Sequence, residues 1–202
     1  GIVLGLIGFF IVRAAFEAYV DVQWKLDKED VLNALQEFFA HRIRALCTGR
    51  GFGTRVVDAA LGAGFDDLWA FEQRVQALDR FSREEDFDQA VLTFKRADNI
   101  IRKQAEFELD GAYDHGLFES EYERELAVKI EEILPTWDDK WSRGRFSDLL
   151  DLLQELRPYV DGFFDNVMVM AEDKTLRINR FNLLYALTSR LSRLADFSAL
   201  QV

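Results

Sequence analysis

Apolar residues recur along this chain at intervals of three and four, the spacing that lines up one face of an α-helix. Over residues 27–47 the stripe is Val31, Leu35, Phe38, Phe39, Ile43 and Leu46, with Asp27 placed to cap the first turn. Over 83–107 it is Phe87, Val91, Phe94, Ile101 and Ala105, after a capping Ser82. Over 174–195 it is Leu176, Leu183, Leu187, Leu191 and Leu194. Further helices are predicted over 2–20, 54–61, 65–81, 119–134 and 146–156. Glycines at 49, 51, 53, 62 and 64 punctuate them, Pro135 is expected to close one helix, and Pro158 to start a turn. Alternating β-branched runs are scarce. The reading is therefore all-α: a helical bundle of about eight helices in a single domain over 1–202, with any sub-boundary falling at 110–116.

Composition narrows this further. Nearly half the residues (49%) are apolar and 18 are Phe, enough for a real core, so disorder through low hydrophobicity is excluded. Cys47 is the only cysteine, which rules out an internal disulfide and a cysteine-based zinc site and matches a reducing compartment. His41 and His115 have no ligand-like neighbours in sequence, and no metal site is expected. The apolar opening run, residues 1–12, stops at Arg13, short of the ~20 residues of a membrane span. No basic region precedes it, as a signal peptide would require, so it is read as a core helix of a piece cut from a longer protein.

The net charge of −11 argues against bulk electrostatic attraction to nucleic acid, and DNA and membranes are not expected partners. Any binding of RNA needs a local basic patch. One candidate lies on the helix over 83–107, where Lys95, Arg96, Asn99, Arg102 and Lys103 fall together on the flank away from the apolar stripe. The plain alternative is a solvated helix face. A second candidate gathers around the glycine-rich break: Arg42, Arg44, Arg50 and Arg55. Arg42 falls within the angular range of the apolar stripe, where a charge has to snorkel, pair or face a cleft. Arg180 falls within the last stripe in the same way, and the acids upstream of it (Asp161, Asp165, Glu172, Asp173) are read as helix caps and as partners for Arg177 and Arg180.

Enzyme templates are missing: there is no phosphate loop, dinucleotide glycine pattern, nucleophile elbow or paired-histidine metal motif. Cys47 and His41 sit six residues apart on one helix, pointing in different directions. No catalytic residue is assigned. From the residues alone, the chain is a helical binding module with one or two basic faces.

The run from Val160 to Asp173, Val-Asp-Gly-Phe-Phe-Asp-Asn-Val-Met-Val-Met-Ala-Glu-Asp, resembles the signature near the end of bacterial-type glycyl-tRNA synthetase β subunits. Leu-Arg-Ile-Asn-Arg at 176–180 and Leu-Ala-Asp-Phe-Ser at 194–198 continue the likeness. Phe94 to Ile100 resembles a second motif of that family, Lys-Arg-x-x-Asn-Ile, with Asp98 standing where a small residue is usual. Val56 to Ala59 is a weaker third match.

This resemblance implies a DALR-like anticodon-binding region of a two-subunit ligase that joins glycine to its tRNA at the expense of ATP. The aminoacylation site belongs to the α subunit. This region would take no cofactor, while the holoenzyme uses ATP and Mg. Implied partners are tRNA(Gly), the α subunit and the rest of β, in the cytoplasm. An anticodon loop ending in two cytosines would be gripped between Lys95, Arg96, Asn99 and Arg102 on one side and Arg42, Arg44, Arg50 and Arg55 on the other. Asn99 would read a base edge, and the 160–173 signature would be scaffold, its phenylalanines and methionines packed in the core. The rival expectation is a protein-interaction domain docking onto the α subunit or the rest of β, with the 1–12 segment as its contact surface.

Overall fold

A computed structural model describes residues 27–104 and 107–200, so the helix expected over 2–20 lies outside the described residues. Among the described residues there are seven α-helices and no strand. They are α1 (Lys28–Gly49), α2 (Thr54–Gly62), α3 (Leu68–Phe81), α4 (Phe87–Gln104), α5 (Glu121–Ser142), α6 (Phe146–Asn166) and α7 (Lys174–Leu194). A short 3-10 turn, His115–Leu117, lies in the connection between α4 and α5. Local chemistry sets the boundaries. The Asp27 carboxylate accepts from the Glu29 amide at 2.8 Å, and that of Asp67 accepts from Trp69 and Ala70. Ser82 does not start α4 as expected. It ends α3, and Phe87 folds edge-on against Phe81 at 5.3 Å to close the turn between the two helices.

The α5–α6 pair is the most extensively packed among the described helices. Ion pairs run antiparallel along it, Lys140 to Asp148 at 2.8 Å and Lys129 to Glu155 at 3.4 Å. Gly144 in the connector adopts φ +66°, and the Trp69 ring occupies the space its Cβ would need. α3 lies on α6, α4 lies on α6 and α7, and α1 packs chiefly on α2. Trp137, Phe81, Phe94, Phe163 and Phe181 fill the common core.

Neither proline ends its helix: α5 runs through Pro135 to Ser142, and α6 through Pro158 to Asn166. Both prolines are exposed. An interior proline costs about 3 kcal/mol through its lost hydrogen bond and ring clash, which water on the open side relieves in part. Beyond Pro158 the helix buries Val160, Phe163 and Phe164, and beyond Pro135 it buries Trp137. At about 1.5–3 kcal/mol for each such side chain, burial outweighs the break.

The connection over 107–120 is laced to α7 rather than opening a gap. The Asn182 carbonyl oxygen accepts from the amides of Asp110 and Gly111 at 3.2 and 3.1 Å. Asn179 accepts from the Asp114 amide at 2.7 Å and donates to the Asp114 carbonyl at 3.1 Å.

Beside this lacing sits a buried ion pair. The Arg180 Nε donates to Glu123 Oε1 at 2.7 Å, with the two side chains 7% and 0% exposed. Its other nitrogens reach the Met168 carbonyl at 3.1 Å and Glu119 Oε2 at 3.2 Å. The second oxygen of Glu123 accepts from the amides of Glu119 and Ser120 at 3.0 and 2.8 Å, completing a capping box at the start of α5. Arg180 thus takes its carboxylates from the start of α5, not from the acids just upstream. Asp173 instead caps α7, and Asp161 accepts from the Thr93 hydroxyl at 2.6 Å.

Arg180→Met leaves Glu123 buried without its cation, and urea unfolding is expected to show a loss of about 3–5 kcal/mol. Adding Glu123→Gln to that variant should restore part of the loss. Wild-type stability for Arg180→Met alone would mean the pair does not hold the fold.

Candidate nucleic-acid interface

α4 turns Phe87, Ala90, Val91, Phe94 and Ala97 into the core. The helical period therefore carries Leu92, Lys95, Arg96, Asn99, Ile100 and Lys103 to the opposite side, where they line an open groove of about 410 Å³. The Arg96 guanidinium lies 4.4 Å over the Phe164 ring of α6. Stacking on the ring fixes the plane of the cation while leaving it exposed to solvent. Asn99, half-buried, makes no side-chain hydrogen bond to any described residue. Arg102 donates through Nε to Asp98 at 2.7 Å, one turn back on the same helix. That pairing gives the unusual aspartate its partner, and the carboxylate formally cancels the positive charge that Arg102 adds.

The second set of cations is placed differently. Arg42 is exposed and lies 5.6 Å over the Phe38 ring of its own helix. The expected stripe of α1 is itself largely open, with Phe38 52%, Phe39 38% and Leu46 66% exposed. Ile43 and Cys47 are the partly buried apolar residues of α1 that pack against the described core. Arg44 is held by Asp58 at 2.6 Å and Arg50 by Glu72 at 2.9 Å, so these two act as struts tying α1 and its following turn to α2 and α3. Arg55 is exposed on the first turn of α2. Gly51, at φ +96°, folds that turn back onto α1, and the Phe52 amide donates to the Cys47 carbonyl at 3.2 Å. Helices α1 and α4 are not among the extensively packed helix pairs.

Sequence patterning missed three features. Phe164 under Arg96 comes from a different helix, and no local spacing reveals it. Met168 and Met170, expected in the core, are 74% and 46% exposed. Arg74 is buried in the stripe Phe71–Arg74–Val75–Leu78, a position that spacing does mark as anomalous. It donates to the carbonyls of Ala60 at 3.3 Å, Arg193 and Leu194 at 3.2 Å each, and Gly64. Burial pulls its pKa down to about 10, against the opposite pull of Asp67 and Asp66.

Among the described residues no group of three His, Cys, Asp or Glu side chains is placed to hold a metal ion. His115 meets Glu131 at 2.7 Å, and the Tyr113 hydroxyl donates to the same carboxylate at 3.2 Å, in an open depression that Ser189 also lines. Burial, then the Glu131 charge, push the Tyr113 phenol above its ordinary pKa. No helix among the described residues is long and apolar enough to cross a membrane.

A family profile, the DALR anticodon binding domain, matches residues 91–197. The match begins inside α4 and ends just past α7, so it contains the groove and excludes Arg42, Arg44, Arg50 and Arg55. The chain is 52% identical over 195 residues to a protein of Oleidesulfovibrio alaskensis named glycine–tRNA ligase beta subunit, covering 95% of this chain and 28% of that protein. Proteins of the same name are 50% identical over 205 residues in Nitratidesulfovibrio vulgaris (100% of this chain, 29% of the relative) and 40% over 165 residues in Myxococcus xanthus (82% and 23%). The chain spans about a quarter of the length of these relatives.

Burial raises the Cys47 thiol pKa, with Arg50 pulling it down and Glu72 adding to the rise. Because only the thiolate reacts, alkylation by iodoacetamide at pH 8 should be slower than for a free cysteine, and its pH midpoint should lie higher. A midpoint at or below the ordinary thiol value would reopen Cys47 as a nucleophile.

Proposed function

We propose, since this chain belongs to the family of glycine–tRNA ligase β subunits, that α4 to α7 bind the anticodon loop of tRNA(Gly). The observation that carries this reading is the coincidence of the anticodon-binding match with the α4 groove. That groove holds cations, an amide without a partner and an arginine stacked on a ring, on a chain of net charge −11. An unstacked loop is recognised by base-edge hydrogen bonds and by stacking on planar groups, while cations hold its phosphates. Lys95 and Lys103 hold backbone, and the solvent side of the Arg96 plane takes a base face. The Asn99 amide, donor and acceptor at once, pairs with the edge of a cytosine. Arg102, shared with Asp98, contributes less.

This region takes no cofactor of its own. It serves, in the cytoplasm, an assembly with the α subunit that joins glycine to tRNA with ATP and Mg, and that chemistry is carried out elsewhere in the assembly. The reversal Lys95→Glu with Arg96→Glu, in the complete β subunit, should weaken tRNA(Gly) binding tenfold to a hundredfold, at about 1 kcal/mol or a little more per contact. The circular dichroism should not change. The slope of log affinity against log salt should also become shallower. Unchanged binding, or equal binding to a tRNA with its anticodon cytosines replaced, would overturn the reading.

The open apolar face of α1 favours a second role for the other end of the region. Phe38, Phe39 and Leu46 form an exposed patch of a kind that marks interaction sites. Because the relatives are more than three times longer than the matched stretch, the occupant is the remainder of the β subunit. Phe38→Asp with Leu46→Asp should loosen that docking, seen as faster proteolysis between the region and the rest of β, with the salt slope of tRNA binding unchanged. Wild-type proteolysis would remove this role.

A further inference from the structure

The loop between α6 and α7 presents its side chains in strict alternation. Val167, Val169 and Ala171 are 7%, 7% and 8% exposed, while Met168 and Met170 between them are 74% and 46% exposed. The chain leaves α6 extended at Val167, φ −121°, ψ 123°, and then bends at Val169 and Met170. The backbone is held at successive points. The Val167 amide donates to the Phe163 carbonyl at 2.8 Å. The Met168 carbonyl accepts from Arg180 and the Ala171 carbonyl from Arg177, each at 3.1 Å. The two methionines are thus displayed on a rigid support rather than left over on a loose one.

Contacts at both ends fix where this loop lies. Phe164, just before it, sits under Arg96 of α4, and Lys174, just after it, lies 5.1 Å over Phe107, beyond the end of α4. The loop therefore runs alongside the C-terminal half of α4, the half that carries Asn99, Ile100 and Lys103. Among the polar neighbours of the methionines, Asp165, Glu172 and Asp173 are exposed carboxylates, which repel phosphate, beside exposed Asn166 and Lys174. A surface with cations on one side, and soft apolar side chains fenced by acids on the other, suits a ligand with an anionic edge and flat uncharged faces. Single-stranded RNA, with its bases turned out, has that form.

We propose that Met168 and Met170 form a platform on which bases of the bound RNA loop rest, while the α4 groove holds its backbone. The inference rests on the anticodon-loop reading given above. A thioether makes favourable contact with an aromatic face and adapts to whichever base it meets, and contacts of base faces are tolerant of sequence. The platform therefore adds affinity without choosing the anticodon, a choice left to Asn99 and its neighbours.

The test uses the assembled α and β subunits and tRNA(Gly). Met168→Gln with Met170→Gln should weaken binding about tenfold, equivalent to one stacked base. The salt slope should stay as in wild type, since no phosphate contact is lost, and Met168→Leu with Met170→Leu should restore most of the affinity. Wild-type binding by the glutamine pair overturns the proposal, and so does a loss that appears in α–β association instead. Lys95→Glu is measured in parallel. If it weakens binding and the glutamine pair does not, only the platform fails; if neither does, the anticodon-loop reading fails with it.

Discussion

Glu123 and Arg180 form the joint on which the functional end of this molecule is set. Two charges withdrawn from water carry a desolvation cost of several kcal/mol each, and their attraction offsets it only when the remaining lone pairs and protons are also satisfied. Here they are. Glu123 accepts from two backbone amides as well as from Arg180, and Arg180 spends a further nitrogen on the Met168 carbonyl. The result couples three pieces of chain that share no regular hydrogen bonding: the start of α5, the α6–α7 loop and the second turn of α7. Since that loop lies beside α4, the geometry of the basic groove depends on a pair that touches no ligand.

Much of this was legible in the sequence where the chemistry is local. Each of the seven described helices overlaps one that periodicity predicts, though α5 and α6 run on past their expected ends at Leu134 and Leu156, and the face of α4 that carries Lys95, Arg96 and Asn99 follows from 100° per residue once Phe94 and Ala97 are known to be buried. What escaped was set by long-range packing. Pro135 and Pro158 read as stops because the burial of Trp137 and Phe163 beyond them is invisible to local rules. The α1 stripe read as core because periodicity reports that a helix has an apolar side, not that anything covers it. Arg180 was recognised as anomalous, but its partner lies 57 residues away. The methionines failed for a related reason: strand-like alternation inside a helical chain hides among apolar neighbours.

Electrostatics here is a matter of distribution more than of sum. The chain carries eleven excess negative charges, and several arginines that looked available are spoken for by carboxylates at Asp58, Glu72 and Asp98. Such an acidic body discourages indiscriminate association with nucleic acid.

Arg74 has a consequence that reaches back to synthesis. Its guanidinium is satisfied by the carbonyls that end two helices, one formed by residues just before it and the other, α7, about 120 residues later. The Asp196 amide closes the same seam by donating to the Ala59 carbonyl at 2.8 Å. On a ribosome, α2 and α3 therefore emerge with their keystone half-seated. At roughly 5–20 residues per second, they wait on the order of 10 seconds for the strand of chain that completes them. During that interval the buried cation has to remain hydrated, so the early helices stay ajar and close only when the last turn of α7 arrives.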